Sequence, residues 1–463
     1  MRPAAMLSDG INPPRPVQKD YLRHLYRNYS NHRVFGAHLP PGSGKTWLAR
    51  AIQREFGNDC MVITVSNHLL DQFKSTYTDV NHIKGRQHYD NMRDYKEAYE
   101  AAKAMPTIAN PLSYFYGLLS GRLEPPKALI IDEAHKLYDT MFLAAYMDFP
   151  VQELSIPTFK DNYDLSKWVY DLMGKFEERL PSVHELPENR QNQFYALYDK
   201  FSMLKHMVSI GSHAYTFDYT YSRKNRRSVK VLRITPVNLT REFFKPFLQC
   251  QKVFMMSGTL TKFDLNFYDS TADYYTSDYL TRWENRKILF RPIHEQQRKC
   301  PETIASKILS IYEDLGRKNT VVHVTYDMGK KLAKILPDFA ITHDKGTKTQ
   351  AVERFKKDGG LLIASGCAEG IDLPDDQCRV IIIPVLLYPN LGDETVRLRR
   401  SMRDGVFRYN LETMMTTVQQ IGRGARHSDD SCVSYILDPM FSLLYSQTYN
   451  HLPNDLNVDW RSA

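Results

Sequence analysis

Asp132 and Glu133 stand side by side at the end of a short apolar run, Ala128 to Ile131, and are followed by Ala134 and His135. Two carboxylates at the tip of a buried strand are costly unless a cation meets them. In phosphoryl-transfer chemistry that cation is Mg²⁺: Asp132 would hold it, and Glu133 would position and polarise the attacking water. For four residues alone, a solvated acidic pair at a strand-to-loop boundary is the plainer alternative. The partner lies upstream, in Pro41-Gly42-Ser43-Gly44-Lys45-Thr46. Glycines there let the loop wrap so that backbone N–H groups and a helix N-terminus face phosphates. Lys45 would reach the β and γ oxygens and the Thr46 hydroxyl would ligate Mg²⁺. The full spacing asks for glycine where Leu39 stands, and a glycine turn that merely caps a helix is the competing reading.

A second group of candidates lies far downstream, in Gln419-Gln420-Ile421-Gly422-Arg423-Gly424-Ala425-Arg426. Two arginines three apart on a helix share one face. A planar guanidinium grips developing charge on a γ-phosphate better than an ammonium does, and a well-placed one is worth about 10³–10⁵ in rate. A basic helix face in solvent is the alternative.

These groups must be positioned by strands and helices, and the chain reads as α/β at both ends. Val34 to His38 leads into the glycine loop. Residues 46–56 carry a helical stripe of Leu48, Ala51, Ile52 and Phe56, with Gly57 as the stop. Cys60 to Ser66 and Ala128 to Ile131 read as buried strands. From 141 to about 212 the pattern is helical, and residues 214–221 and 229–235 then alternate with period two around a basic joint at 222–228. That pattern predicts a β-hairpin with a charged tip. The α/β rhythm returns after about 285, with apolar strands at 319–326, 361–366, 378–385 and 432–438. The expected organisation is a first lobe over 1–140, a helical insertion over 141–212, the rest of the first lobe over 213–265, a linker over 266–284, and a second lobe over 285–463.

With 463 residues, 42% hydrophobic and 25% charged, the chain has the composition of a globular protein with substantial cores. The 61 basic against 53 acidic residues, net +8, suit a polyanionic partner without establishing one. The six cysteines form no CxxC pair, which argues against a zinc ribbon or a disulfide framework and for a reducing intracellular setting. The opening residues lack the apolar core of a secretory signal. The longest apolar runs, such as Val380 to Val385, are too short to span a bilayer, so no membrane association is expected.

In order and spacing these motifs resemble a superfamily 2 helicase of the XPD/DinG branch. Gly42 to Thr46 resembles motif I, and Asp132 to His135 matches the DEAH box residue for residue. Thr64 to Gln72 is similar to motif Ia, Thr107 to Pro111 to the strand–Asn element before DEAH, and Ser257-Gly258-Thr259-Leu260 to motif III. Val324-Thr325-Tyr326 is similar to motif IV, Ala368 to Pro374 to motif V, and Gln419 to Arg426 to motif VI. Arg15-Pro16-Val17-Gln18 resembles the element whose glutamine reads adenine. The match runs from about 13 to 440.

The resemblance implies two RecA-like P-loop NTPase lobes, parallel sheets flanked by helices, with ATP and Mg²⁺ between them. ATP contacts would come from Arg15, Gln18, Gly42, Ser43, Gly44, Lys45, Thr46, Gly370 and Asp372, and metal contacts from Thr46 and Asp132. Glu133, Lys45, Arg423 and Arg426 would be catalytic. His135, Ser257, Thr259 and Gln419 would couple hydrolysis to a strand groove contacted by Thr64, Asn110 and Thr325. Family members place single-stranded DNA there and move 5′-to-3′; a monomer is expected. Only Cys60 lies between motifs I and II, where XPD-type members carry four cysteines, so no iron–sulfur cluster is expected. The insertion after DEAH is short, and Lys262 replaces the proline of the motif III pattern. The basic runs Arg223, Lys224, Arg226, Arg227 and Arg397, Arg399, Arg400, Arg403 are further phosphate candidates, although a charge run more often faces solvent. Two other readings stay open: a duplex DNA or RNA translocase or annealing motor, and a nucleic-acid-binding scaffold with a degenerate ATP site.

Overall fold

The computed structural model describes residues 8–39, 43–65, 67–224, 227–237, 239–277, 286–344, 346–366, 373, 375–424, 430–452, 456 and 458–460; for His68, Arg223, Lys224 and Arg227 it describes the backbone alone. The chain divides into two compact units, residues 1–37 with 44–275 and residues 38–43 with 276–463.

The first unit is built on strands β1 (Val34–His38), β2 (Cys60–Thr64), β3 (Asn81–Ile83), β4 (Thr107–Ala109) and β5 (Ala128–Asp132). The chain then leaves for β6 (Met147–Pro150), β7 (Tyr215–Lys224) and β8 (Arg227–Pro236), and returns as β9 (Lys252–Ser257) and β10 (Asp273–Thr276). Seven of these strands form one sheet in the order β10-β1-β9-β5-β2-β4-β3. The pairs β3–β4, β4–β2, β2–β5 and β5–β9 are parallel. Parallel strands are covered on both faces and therefore need unbroken apolar runs; every residue of β1 and β2 is buried, and β5 is buried up to Ile131. After β1 the helix Lys45–Phe56 buries Trp47, Leu48, Ala51 and Ile52 and stops at Gly57, whose φ is 60°. The stop is the one the sequence predicts, and of the predicted stripe Leu48, Ala51 and Ile52 are buried while Phe56 is only half-buried.

The excursion between β5 and β9 differs from the sequence expectation. It contains the helices Leu137–Ala145, Asn162–Arg179 and Glu188–Ile210, but also β6, which lies inside the stretch read as helical. The hairpin β7–β8 pairs antiparallel with β6 in a separate sheet, β6-β8-β7, and not with the seven-stranded sheet. The reason is local: Met147 and Phe149 turn inward opposite Ile234 and Leu232, a period-two signal only four residues long. Phe149 stacks on Phe201 with ring centroids 4.7 Å apart, so the small sheet and the helix Glu188–Ile210 share a core. Arg122, in the loop before β5, ties that helix to the helix Met92–Ala101 through an ion pair with the mostly buried Asp199, its guanidinium 4.8 Å above the Tyr99 ring. Within the stretch read as a linker, β10 forms the edge of the first sheet.

The second unit holds β11 (Arg286–Phe290), β12 (Thr320–Val324), β13 (Ala340–Ile341), β14 (Leu361–Ser365), β15 (Val380–Ile383), β16 (Cys432–Ile436) and β17 (Val458–Asp459). They form a second seven-stranded sheet, β13-β14-β12-β15-β16-β11-β17, in which each neighbouring pair is parallel. Ile304 and Ile308 of the helix Pro301–Asp314 pack with Val322, Ile363 and Ile382 on one face. Among the described residues no helix is long and apolar enough to cross a membrane.

Candidate active site

Strand order brings the chemistry together. β9 and β2 flank β5, with Asp132 paired to Thr64 on one side and Met256 on the other. The carboxyl ends of parallel strands are where an open α/β sheet holds its ligands, and here those ends carry Thr64, Asp132, Glu133 and Ser257. Gly44 and Lys45, at the start of the helix Lys45–Phe56, lie at the same end. Gly44 sits at the helix N-terminus with φ 78°, a conformation that side chains strain to adopt. A Cβ there would lie 2.2 Å from Gln18 Nε2. Gln18 is buried; its Nε2 donates to the Gly44 carbonyl at 3.2 Å and its Oε1 accepts from the Arg15 N–H at 2.7 Å. The glutamine expected to read adenine therefore also braces the phosphate loop.

Lys45 Nζ stands 3.9 Å from Glu133 Oε1. Burial, with the adjacent Glu133 charge, pushes the Asp132 carboxyl up to about 7. For Glu133 burial opposes the charge, but Lys45, His135 and the Ser257 hydroxyl outweigh it and hold the carboxyl below its usual range. Glu133 itself has φ 53°, which turns the chain sharply as it leaves β5. Ser257 Oγ joins the parts: it donates to Glu133 Oε2 at 3.1 Å, lies 2.7 Å from His135 Nδ1 and accepts from the Thr259 N–H at 3.0 Å. His135 Nδ1 is also 3.4 Å from Glu133 Oε2.

Two adjacent, partly buried carboxylates gather negative charge beside Lys45 and His135, and a divalent cation would relieve it further. Among the described residues no three His, Cys, Asp or Glu side chains gather as a metal cage. Mg²⁺ does not require one, since it commonly takes one or two protein ligands and fills its shell with water and substrate phosphates. Asp132 and the partly buried Thr46 fit that arrangement.

Other sequence candidates fall as follows. Ser43 is buried and Arg15 exposed. Gly42, Gly370, Asp372 and Arg426 lie outside the described residues. Gln419 is on the helix Gly405–Ile421, but that helix ends before Gly422, so Arg423 sits in the following turn and not on a shared helix face. Thr64 is 2% exposed, which removes its hydroxyl from the surface. Asn110 and Thr325 cap helices, accepting from the Ser113 and Met328 N–H groups at 2.7 and 3.2 Å; their remaining donors stay available. In the 397–403 run, Arg397 donates to the Leu391 and Gly392 carbonyls and Arg400 lies over Tyr409, while Arg403 is exposed.

Sequence reading passed over His323 and Gln420. Both are fully buried in the second unit, and Arg423 lies near enough to His323 to disfavour its protonation. The available signal was a histidine among the valines of the strand Thr320–Val324.

A seven-stranded sheet with a phosphate loop, a strand-end Asp-Glu pair and a second parallel sheet defines a two-lobed P-loop NTPase of RecA-like build. Comparison with known proteins narrows the class. Residues 11–155 match the family of the type III restriction enzyme res subunit, and residues 314–457 match the helicase C-terminal domain family. Among solved structures, an XPD helicase aligns with a TM-score of 0.60 at 13% identity, covering 98% of this chain and 100% of that one. Xpd4 of S. tokodaii aligns at 0.57 and 14% identity, over 96% and 100%. The chain thus carries a match to a helicase C-terminal domain in its second unit and shares the fold of the XPD helicases.

Proposed function

We propose that this protein is an ATP-dependent DNA helicase that translocates 5′-to-3′ on single-stranded DNA. The observation that carries the reading is the contact of Lys45 with Glu133 beside Asp132, with Ser257 bonded to the same glutamate. In this reading Gly42, Ser43, Gly44, Lys45 and Thr46 hold the phosphates. Arg15 and Gln18 serve the adenine side, and Gly370 and Asp372 are assigned to ATP by their motif. Mg²⁺, held by Asp132 and Thr46, would neutralise charge on the β and γ phosphates. Glu133, kept ionised by Lys45 and His135, accepts a proton from the attacking water. Arg423 and Arg426 keep their motif's role as cations for the γ-phosphate.

Ser257 touches both Glu133 and His135, so a shift of the water-activating carboxylate is felt at motif III. His135, Ser257, Thr259 and Gln419 are thus assigned the coupling of hydrolysis to the strand. Asn110 and Thr325 are retained as phosphate-backbone contacts, which position a strand without reading its sequence. Single-stranded DNA, with no membrane and no second subunit, is the proposed partner, and no iron–sulfur cluster is required.

The test is ATP turnover with single-stranded DNA, duplex DNA and RNA, followed by unwinding of 5′-tailed and 3′-tailed duplexes side by side. Stimulation by single-stranded DNA and a preference for the 5′ tail are expected. Stimulation by duplex alone, without strand separation, would instead identify a duplex translocase. Glu133→Gln is expected to keep nucleotide binding and lose turnover by about 10²-fold or more; normal turnover would remove Glu133 from its role.

A further inference from the structure

The antiparallel ribbon β7–β8 outruns its own sheet. β6 pairs with β8 only from Val231 to Ile234, whereas β7 and β8 stay in register out to Lys224 opposite Arg227. On one face of β7 the side chains Tyr215, Phe217, Tyr219 and Tyr221 follow each other at every second residue. Tyr215 is buried, and Phe217 packs on Phe159 with centroids 6.1 Å apart. Tyr219 is pinned through its hydroxyl, which donates to the Pro157 carbonyl at 2.7 Å and accepts from the Phe159 N–H at 3.1 Å. Tyr221 is the next in the row and emerges 69% exposed. Directly across from it is Lys230, also exposed, its ammonium 5.4 Å from the Tyr219 ring centre. Between Tyr219 and Val231 the sequence holds Arg223, Lys224, Arg226, Arg227 and Lys230 and no carboxylate.

We propose that the exposed Tyr221–Lys230 face of this ribbon is a docking surface for single-stranded nucleic acid. The inference rests on the reading above that the chain works on a strand, and it adds a contact that none of the helicase motifs supplies. An unpaired strand offers both chemistries the face can take: a base plane for the Tyr221 ring and a phosphate for the Lys230 ammonium. A duplex buries its base planes and leaves the ring without a partner. The competing account is edge protection, since charges on an unpaired ribbon keep it from pairing with other chains. Edge protection works with charge of either sign and gives no role to an exposed aromatic ring.

The two accounts separate in the full-length chain, with a fluorescent oligo-dT as probe and anisotropy as readout. Tyr221→Ala is expected to weaken binding about five- to 150-fold, the range carried by one stacked base, while Tyr221→Phe stays near wild type. Lys230→Gln should lower the slope of log affinity against log salt by about 0.7 to 1. Lys230→Glu should weaken binding further with an unchanged melting curve. Wild-type affinity in both Tyr221→Ala and Lys230→Glu overturns the proposal and leaves edge protection. Equal binding by Tyr221→Ala and Tyr221→Phe, with loss only in Lys230→Glu, overturns it in favour of an unspecific polyanion patch. If the wild-type chain neither binds the oligonucleotide nor hydrolyses ATP faster with it, the helicase reading itself fails. Failure confined to the variants leaves that reading standing.

Discussion

At the scale of single residues, Ser257 links three other residues of the candidate site, Glu133, His135 and Thr259. It has one hydroxyl proton, and Glu133 Oε2 and His135 Nδ1 both lie within reach of it. Whichever it serves, the other must be satisfied by a change of tautomer or position. Ser257→Ala removes the joint while leaving Lys45, Asp132 and Glu133 in place. Turnover without nucleic acid is expected to fall only a few-fold, whereas stimulation by single-stranded DNA is lost; a phosphate-release assay with and without oligonucleotide reads both. Stability should drop by roughly 1.5–3 kcal/mol, as for one hydrogen bond to a charged group. Gly44 makes the complementary case. Its left-handed conformation and the 2.2 Å approach of Gln18 Nε2 leave no place for a Cβ. Gly44→Ala is expected to weaken nucleotide binding at least tenfold and to lower the melting temperature, because about 1–2 kcal/mol of backbone strain adds to displacement of the glutamine.

At the scale of elements, β12 carries a buried histidine whose titration has a measurable consequence. Burial, with Arg423 nearby, pushes His323 down to about 3. The folded value lies below the ordinary one near 6.5, so between the two the unfolded chain binds a proton that the folded chain refuses. This contribution to stability is complete above about pH 6.5 and declines as pH falls, by about 1.4 kcal/mol per pH unit for one proton. In His323→Leu that component should vanish: denaturant unfolding at about pH 7 and pH 5 should show a shallower acid-side loss than in wild type. Elements such as β12 were legible in the sequence because its buried residues include Val321, Val322 and Val324, a β-branched apolar set around His323. The helix Lys45–Phe56 was legible for a similar reason, as its stripe and Gly57 are local signals. β6 was not legible, because four residues of alternation become a strand only when Leu232 and Ile234, far along the chain, provide the partner. The end of the helix before Gly422 was missed on similar grounds. A motif spacing records which residues recur, not where the backbone turns.

At the scale of the whole molecule, the first unit depends on how the excursion between β5 and β9 is fastened to the rest of that unit. Arg122 donates to Tyr95 Oη at 2.8 Å and pairs with Asp199 on the helix Glu188–Ile210. Burial raises the Asp199 carboxyl despite this partner. Arg122→Ala would strand that carboxylate, and removing one member of a buried pair costs about 3–5 kcal/mol. Chemical denaturation should show that loss, and Arg122→Leu with Asp199→Leu together should lose less than the single change. The candidate site is insulated from such changes by strand order. β5 and β9 are neighbours in the sheet although 119 residues separate Asp132 from Lys252. Because the two strands run parallel, the chain departs at the carboxyl end of β5, at Asp132, and returns at the opposite end of the sheet, where Lys252 pairs with Ala128, about 13 Å away along the strand. Whatever is built outside can be lengthened, trimmed or exchanged while Asp132 and Ser257 keep their separation. The fold thus has an expansion port that opens beside the candidate catalytic residues and closes at the far end of the sheet, where new attachments can be tried without rebuilding the engine.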